Sequence, residues 1–382
     1  MSSTAASIFA SAPEPKTALG RHRILSPSAG IKVSPLCLGA MNFGEAWKDF
    51  MGECTKETTF EMLDFFYENG GNFIDTANNY QNEESEIWIG EWLEKRGVRD
   101  EMVIATKYTT LYTHGTKKLQ GNYVGNSSKS MHLSLEASLK KLQTSYLDIL
   151  YLHWWDFTTS VEEVMQAANN LVRAGKVLYL GVSDTPAWVV AKANMYARQH
   201  GLAQFVIYQG RWSASNRDFE SDILPMCQDF GMAMAPWGSL GGGHFKTEEQ
   251  RKSTEGRKFG EARPVDIKVS EVLEKIAKKK GTILTSVALA YVVHTSANVF
   301  PIVGGRKIEH LKGNIEALKL RLSQEEIKEI ESASGYEYQF PLSFLFNGSE
   351  PSTRLNASDV FLTKPAVVLD IPPNPQSAFP PQ

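Results

Sequence analysis

Cysteine is scarce in this sequence of 382 residues, which holds three cysteines and no C-x-x-C pair. An odd number of isolated cysteines argues against a disulfide framework and against a structural zinc site, so we expect no metal. Long apolar runs are missing too, because no stretch reaches the roughly 18 residues that a membrane-spanning helix needs. The first twenty residues lack the basic and apolar segments of a secretory signal. We therefore expect a soluble, cytoplasmic protein that does not enter a membrane.

The sequence also has no excess of charge of one sign. Its 40 lysines and arginines face 43 aspartates and glutamates, which gives a net charge of −3 and a pI near 6.3. Nucleic acids and anionic membranes are bound by basic surfaces, so we expect neither partner. The length fits two or three ordinary domains, yet an α/β barrel of about 250 residues is often a single domain.

Short apolar runs alternate with amphipathic segments of helical period from residue 33 onward. We predict strands at Val33–Leu38, Asn72–Thr76, Met102–Thr106, Asp148–His153, Val177–Val182, Phe205–Gln209, Met232–Pro236 and Val299–Val303. Apolar runs without alternation are typical of parallel strands that are buried on both faces. Eight such strands favour a closed (β/α)8 TIM barrel, of class α/β, over an open doubly wound sheet.

Composition divides the sequence into three parts. We expect a flexible N-terminal segment over 1–20, a barrel over 21–335 and an irregular C-terminal tail over 336–382, which carries 8 of the 17 prolines. Residues 238–267, after the seventh strand, are rich in Gly, Lys, Arg and Glu. A loop of this length in a compact domain is typical of a functional lid or of a disordered segment.

Two smaller features are expected at the mouths of the barrel. Arg23–Leu25 and Ile31–Ser34 predict a hairpin that closes the N-terminal mouth. The tail has an apolar cluster that is able to pack near a mouth, formed by Phe340, Phe344, Leu345 and Phe346.

Polar side chains follow the apolar strands at the ends where an α/β barrel carries its active site. In chain order they are Asp75, Tyr80, Lys107, His153, Ser183, Asp184 and Gln209. Singly, each has a structural explanation: Asp75 can cap a turn, Lys107 can be a solvated charge, and His153 can be a core histidine. Because the carboxyl ends of the strands meet at one mouth, we interpret these residues together as one candidate site.

The side chains of this group favour protonation of a carbonyl oxygen. A tyrosine with a pKa of about 10 is a poor acid unless its phenolate is stabilised. The Lys107 ammonium supplies that stabilisation for Tyr80, and Asp75 neutralises the lysine. His153 then orients the carbonyl or relays a proton. The group contains no nucleophile–base pair and no metal-ligand spacing, so hydride has to come from another agent.

A nicotinamide cofactor is the expected agent, although the sequence has no G-x-G-x-x-G fingerprint and no G-x-x-x-x-G-K-S/T loop. Their absence argues against a Rossmann dehydrogenase. An α/β barrel offers another phosphate site, after strands seven and eight. There Gly304 and Gly305 precede Arg306 and Lys307 at a helix N-terminus, which favours an anion. An ordinary strand–helix turn with solvated charges is the alternative explanation.

Several motifs resemble the aldo-keto reductase superfamily over roughly residues 20–335. FIDTANNY, IATK and LYLH match its Asp/Tyr/Lys/His tetrad in order and spacing, and PIVGGRKIEHLKGN matches its cofactor segment. The finer similarity is to fungal aryl-alcohol dehydrogenases and norsolorinic-acid-reductase-like proteins. It is carried by GRHRIL, GGNFIDTANNYQNEESE, YVGNSSKSM, GKVLYLGVSDTPAWVV, APWGSLGGG and PIVGGRKIEHL.

The resemblance implies a role for each matching residue. Tyr80 is the implied general acid, Lys107 and Asp75 its tuning pair, and His153 the substrate-orienting residue. The implied NADPH/NADP⁺ contacts are Ser183, Asp184, Gln209, Trp237, Gly238, Ser239, Leu240, Gly304, Arg306, Lys307, His310 and Asn314.

Within that set the resemblance assigns parts of the cofactor. Ser183, Asp184 and Gln209 hold the carboxamide, and Trp237 replaces a tyrosine that stacks on the nicotinamide in many members. The segment 238–240 lines the pyrophosphate. The 2′-phosphate is assigned to Arg306 and Lys307, and adenine to His310 and Asn314. Two departures from the family pattern are Asp184, where an asparagine is usual, and Gly313, where many members have a glutamate that contacts adenine.

The leading interpretation is an NADPH-dependent reductase of aromatic aldehydes or polyketide-like ketones, with a small aromatic carbonyl compound as its partner. One alternative is a nicotinamide-sensing binding subunit, but the aromatic side chains Trp154, Trp155, Phe157 and Trp212 favour a small-molecule pocket. Another is a secondary-metabolite enzyme that uses the barrel for dehydration or cyclisation. The sequence leaves the substrate, the direction of reaction in the cell and the oligomeric state open.

Overall fold

A computed structural model describes residues 10–252, 261–346, 360–369 and 377. Its strands are β1 (Arg23–Ser26), β2 (Ala29–Val33), β3 (Cys37–Gly39), β4 (Phe73–Asp75), β5 (Val103–Tyr108), β6 (Leu147–Leu152), β7 (Val177–Ser183), β8 (Phe205–Arg211), β9 (Ala233–Trp237) and β10 (Ile302–Val303). The first two strands pair as an antiparallel hairpin, and the other eight form one parallel sheet in the order β10-β3-β4-β5-β6-β7-β8-β9.

Helices follow the strands of this sheet in the described part of the chain. They are α1 (Lys48–Met51), α2 (Lys56–Glu68), α3 (Glu84–Arg96), α4 (Ser128–Lys141), α5 (Val161–Arg173), α6 (Ala187–His200), α7 (Phe219–Phe230), α8 (Glu248–Lys252), α9 (Pro264–Lys280), α10 (Leu284–Thr295), α11 (Ile308–Ala317), α12 (Gln324–Ser334) and α13 (Leu342–Phe346). The N-termini of several are fixed by hydroxyl caps. At the start of α5, for example, the Ser160 hydroxyl accepts a hydrogen bond from the backbone N–H of Glu163 at 3.1 Å.

The sheet closes into a barrel through the two strands at its ends. Met234 of β9 and Val299, just before β10, form a parallel bridge. The Met234 N–H donates to the Asn298 carbonyl at 2.9 Å, and the Phe300 N–H donates to the Met234 carbonyl at 2.8 Å. All six residues of β5 and all six of β6 are buried, as strands covered on both faces should be. The predicted (β/α)8 TIM barrel is confirmed.

The N-terminal hairpin closes the lower mouth, as the sequence predicted. Its side chains Leu25, Ala29 and Val33 are buried in one apolar cluster with the interior residues Phe73 and Ile149 of the barrel. This cluster seals the barrel from below, so only the opposite mouth is left for a ligand.

Six of the predicted strands are displaced by at most two residues at either end, but the other two are interrupted, and in both a proline is the reason. The run Val33–Leu38 is divided, because Pro35 has no N–H for a sheet and separates hairpin strand β2 from barrel strand β3. Likewise Pro301 divides Val299–Val303, and only its last two residues form β10. An apolar run by itself does not reveal such a break.

The segments beyond the barrel are only partly described. After β9 the chain forms a short turn at Gly241–Gly243 and then α8, and residues 253–260 of the predicted long loop lie outside the described residues. The same holds for residues 1–9 of the predicted flexible segment and for most of the tail.

The prediction that the apolar cluster of the tail packs near a barrel mouth is wrong for two of its residues. Phe340 is 81% exposed and Phe344 is 55% exposed, whereas Phe346 is buried. Instead the Tyr336 hydroxyl hydrogen-bonds the Ser221 hydroxyl on α7. Within the described residues, no helix is both long and apolar enough to cross a bilayer.

Close packing between neighbouring helices generates a stability prediction. A Cβ at Gly90 in α3 would lie 2.2 Å from the carbonyl oxygen of Lys141 at the end of α4, and a backbone atom cannot move aside. Gly90→Ala should therefore lower the free energy of unfolding by about 1–3 kcal/mol. The control is Gly313→Ala in α11, where the nearest atom is a side-chain methyl at 3.4 Å. Alanine there should be neutral or stabilising by up to about 1 kcal/mol. Equal effects in denaturant titrations would contradict the packing of α3 on α4.

Candidate active site

Four polar side chains meet at the open mouth because neighbouring strands deliver them there. Asp75 is the last residue of β4, Lys107 lies in β5, and His153 follows β6 directly. In the parallel register Asp75 pairs with Ala105, and Lys107 pairs with Tyr151 of β6. The turn after β4 adds Tyr80, so the structure brings together the four residues that the sequence singled out.

The Lys107 ammonium is the centre of this group. Its Nζ donates to Asp75 Oδ1 at 2.5 Å and to the Thr76 carbonyl at 2.7 Å, and it lies 3.4 Å from the Tyr80 hydroxyl. The other oxygen of Asp75 accepts a hydrogen bond from Gln209 Nε2 at 2.8 Å. Lys107 is fully buried and Asp75 is 3% exposed, so the ion pair is almost completely removed from water.

Two opposing effects set the acidity of this group. Burial alone would lower the pKa of Lys107, but the Asp75 carboxylate and the Tyr80 hydroxyl outweigh it, so the Lys107 pKa lies above its ordinary value. Burial raises the pKa of Tyr80, while the Lys107 ammonium acts to lower it. Tyr80 therefore keeps its proton at neutral pH beside a fixed positive charge, as a proton donor should.

The turn that carries Tyr80 has a strained backbone. Its next three residues, Gln81, Asn82 and Glu83, all have positive φ values of 52°, 51° and 81°. Such consecutive non-glycine residues persist only where their surroundings fix them. Here Lys141 helps to do so, because its Nζ donates to the Asn78 carbonyl and to Glu83 Oε1, both at 3.0 Å.

The segment 41–47, which follows β3, fixes the same turn from the other side. The buried Gln81 amide donates to the Met41 carbonyl at 2.9 Å and accepts from the Trp47 N–H at 2.7 Å. The indole N–H of Trp47 donates to Asn82 Oδ1 at 3.1 Å, and its ring lies edge-on to Tyr80 with 6.2 Å between centroids. Sequence reasoning missed this support, because amide contacts between two loops leave no periodic signal.

The ring of His153 lies beside the ring of Tyr80. Their ring centroids are 6.0 Å apart, and His153 Nδ1 lies 3.1 Å from the Thr110 hydroxyl. Burial, reinforced by the nearby Lys107 ammonium, holds the pKa of His153 well below its ordinary value. The imidazole is therefore neutral at physiological pH and able to orient a ligand by hydrogen bonding.

A cavity of about 590 Å³ opens above this group. Among the residues singled out from the sequence, its lining includes Asp75, Tyr80, His153, Asp184, Gln209, Trp237, Gly238 and Gly304. Sequence reasoning missed the lining residues Asn42, Arg211, Asn216, His244, Arg263 and Asp266. Most of them lie on loops whose polar residues look like ordinary solvated positions.

Two of the missed residues form a clamp together with Ser215. Arg263 and Asp266, at the start of α9, pair through two hydrogen bonds of 2.8 and 2.9 Å. Asp266 Oδ1 also accepts a hydrogen bond from the Ser215 hydroxyl at 2.7 Å. The clamp therefore ties the loop after β8 to the first turn of α9.

Two of the predicted carboxamide residues, Asp184 and Gln209, line the cavity, and the third, Ser183, precedes Asp184 at the end of β7. Ser183 is buried, and its hydroxyl has no hydrogen-bond partner among the described residues. Trp237 is 38% exposed, and its indole N–H donates to Asp184 Oδ1 at 3.3 Å. An unpaired buried hydroxyl and a partly open indole face fit a flat, polar ring such as nicotinamide.

The remaining predicted cofactor residues lie outside the cavity lining. Ser239 is buried with its hydroxyl on the Trp212 and Pro236 carbonyls, so its side chain turns toward the backbone. Leu240, Lys307, His310 and Asn314 do not line the cavity. The last three lie at or within α11, with Asn314 buried and the other two exposed.

Arg306 is half-buried and forms no hydrogen bond or ion pair with the described residues. Its guanidinium lies against Gly52, where a Cβ would be 1.7 Å from Arg306 Nη1. It is thus an unpaired cation beside the glycine pair at the start of α11. These residues fit a phosphorylated dinucleotide, with phosphate beside Arg306 and a flat ring beside Trp237.

Comparison with known proteins agrees with this geometry. The model of the aldo/keto reductase family matches residues 35–334. Norsolorinic acid reductase B of Dothistroma septosporum is 59% identical over 352 residues, which cover 90% of each chain. A putative aryl-alcohol dehydrogenase of Saccharomyces cerevisiae is 52% identical over 375 residues, 95% of this chain and 99% of its own.

A third relative is named with its cofactor. The NADP(+) aryl-alcohol dehydrogenase of Phanerodontia chrysosporium is 52% identical over 359 residues, 90% of this chain and 93% of its own. The matched region spans the complete barrel, including all four strand-end residues of the mouth. The chain belongs to the aldo/keto reductase family.

Proposed function

We propose that this protein is an NADPH-dependent oxidoreductase that reversibly reduces an aromatic aldehyde or a polyketide-like aromatic ketone to the alcohol. The observation that carries the proposal is the buried Lys107 ammonium, 2.5 Å from Asp75 and 3.4 Å from a Tyr80 hydroxyl that lines the cavity. Such a group donates a proton and stabilises the anion that remains. The relatives described above are named as a norsolorinic acid reductase and as aryl-alcohol dehydrogenases, which supports a substrate of this kind.

Each residue of the group has a separate part in the proposed reaction. The cofactor, when bound, supplies hydride to the carbonyl carbon. Tyr80 donates its proton to the carbonyl oxygen, and Lys107 stabilises the resulting phenolate by charge. Asp75 holds the ammonium in place, and the neutral His153 orients the carbonyl oxygen toward Tyr80.

The proposed cofactor site extends from this group to α11. Ser183, Asp184 and Gln209 hold the carboxamide, and Trp237 stacks on the nicotinamide. The pyrophosphate contacts are assigned to Gly238, Ser239, Leu240 and Gly304. Arg306 and Lys307 bind the 2′-phosphate, and His310 and Asn314 lie by adenine. The unpaired Arg306 guanidinium supports the assignment of the 2′-phosphate, and the unpaired Ser183 hydroxyl supports the assignment of the carboxamide.

Aromatic side chains near Tyr80 support an aromatic substrate. The Trp47 ring lies edge-on to Tyr80, and the Trp154 indole N–H donates to the Thr110 hydroxyl at 3.0 Å, the same hydroxyl that lies by His153. Aromatic side chains this close to Tyr80 and His153 favour a flat apolar substrate whose carbonyl oxygen reaches Tyr80.

We also propose a role in secondary metabolism and a cytoplasmic location. The norsolorinic acid reductases among the relatives support the first. All three cysteines are buried free thiols, which supports a reducing compartment.

Incubation of the protein with NADPH and a panel of aromatic aldehydes and ketones, followed by cofactor absorbance, tests the proposal. Oxidation of NADPH that depends on the carbonyl compound supports it. Tight NADPH binding without oxidation would instead support a nicotinamide-sensing subunit. Conversion of a compound without net NADPH consumption would support dehydration or cyclisation.

Tyr80→Phe should reduce turnover by about 10²–10⁴-fold, because it removes the proton donor but keeps the ring. The affinity for NADPH should stay close to that of the wild type. Stopped-flow turnover and calorimetric NADPH titration measure the two effects. Turnover within a few-fold of the wild type would show that another group donates the proton.

Arg306→Ala should weaken the binding of NADPH by roughly 10- to 150-fold and leave the binding of NADH almost unchanged, because only NADPH carries the 2′-phosphate. A charge-assisted hydrogen bond contributes about 1.5–3 kcal/mol, which converts to that range. Lys307→Ala is the matched control, since Lys307 is exposed and should matter less. Equal losses for both cofactors would mean that Arg306 instead supports the segment around Gly52.

A further inference from the structure

Asp184 presents a carboxylate to the cavity without a cation to neutralise it. Its side chain is exposed and lines the cavity, and it has no ion-pair partner among the described residues. The two cations that act on it electrostatically are already engaged: Lys107 pairs with Asp75 at 2.5 Å, and Arg211 pairs with Asp218 at 3.4 Å. A negative charge therefore remains at this wall of the site.

The backbone and one hydrogen bond hold this carboxylate in place. Asp184 has a φ of 40°, in the left-handed region that aspartate and asparagine tolerate better than most residues. Its backbone N–H donates to the Gln209 carbonyl at 3.1 Å. Its Oδ1 accepts the hydrogen bond from the Trp237 indole at 3.3 Å, so the carboxylate lies at the edge of the ring proposed to stack on nicotinamide.

We propose that Asp184 is a fixed negative charge that favours the oxidised cofactor over the reduced one at this site. The inference rests on the proposed function, because it takes Trp237 as the face on which nicotinamide lies. The nicotinamide ring is cationic in NADP⁺ and neutral in NADPH. A nearby carboxylate therefore attracts the first and is nearly indifferent to the second.

The expected size of this effect follows from Coulomb's law. For charges roughly 6 Å apart, an effective dielectric constant between about 80 and about 20 corresponds to a change of about 3- to 100-fold in affinity. Partial loss of solvent inside the concave site raises the pKa of Asp184, although the side chain is still open to water, whereas the Trp237 indole, Lys107 and Arg211 act to lower it. The ionised form therefore prevails at mildly basic pH, where the test is best made.

Asp184→Asn is the informative variant. Asparagine tolerates the same backbone conformation, and its amide oxygen still accepts the Trp237 indole hydrogen bond, so only the charge is lost. Calorimetric titrations of the full-length protein should show that NADP⁺ binds about tenfold more weakly than to the wild type. The affinity for NADPH should change by less than about threefold.

Asp222→Asn is the matched control, because it removes the same charge from the exposed surface of α7. It should leave the ratio of the NADP⁺ and NADPH affinities unchanged. An unchanged ratio in Asp184→Asn would overturn the inference, and so would an equal loss for both cofactors, which would make Asp184 only an anchor for Trp237. If the wild type binds neither cofactor, the proposed function itself fails, which is a different result.

Discussion

The buried ion pair between Lys107 and Asp75 is the interaction on which the site depends. Two charges removed from water are costly unless their geometry and hydrogen bonds compensate. Here the carboxylate accepts from Lys107 and Gln209, and the ammonium also donates to the Thr76 carbonyl. The ammonium also lies 3.4 Å from the Tyr80 hydroxyl, so it affects a ligand in the cavity through Tyr80.

The barrel makes this pair possible. Parallel strands fix the register between Asp75 and Lys107, and the hairpin seals the lower mouth, so that the charges face only the cavity above. Tyr80 then has to be brought over the ammonium by a loop. The strained turn at 81–83 does this, because the Gln81 amide and the 41–47 segment hold it from one side and Lys141 from the other. Strain near a reacting group is typical of functional sites.

Much of this was predictable from the sequence, and the exceptions share a cause. The apolar runs that end near Asp75, Lys107 and His153 predicted the barrel, because buried parallel strands have a strong hydrophobic signal. The polar residues at the ends of these runs predicted the candidate site. The breaks at Pro35 and Pro301 were missed, since the run continues through them. The Gln81 contacts and the hydrogen bond from Ser215 to Asp266 join segments distant in sequence, which no local pattern reports. The Trp237–Asp184 hydrogen bond likewise joins two residues that lie far apart in the sequence.

The central claim is that the Lys107 ammonium acts on the Tyr80 proton, and the pH dependence of kcat/KM in a Lys107→Met variant tests it most directly. The variant loses the charge that lowers the Tyr80 pKa, so kcat should fall and the basic limb of the profile should move to higher pH. Lys192→Met serves as the control, because Lys192 is exposed on α6 and pairs with Glu162 at 3.2 Å rather than with Tyr80 or its turn. A basic limb at the wild-type position in Lys107→Met would contradict the account.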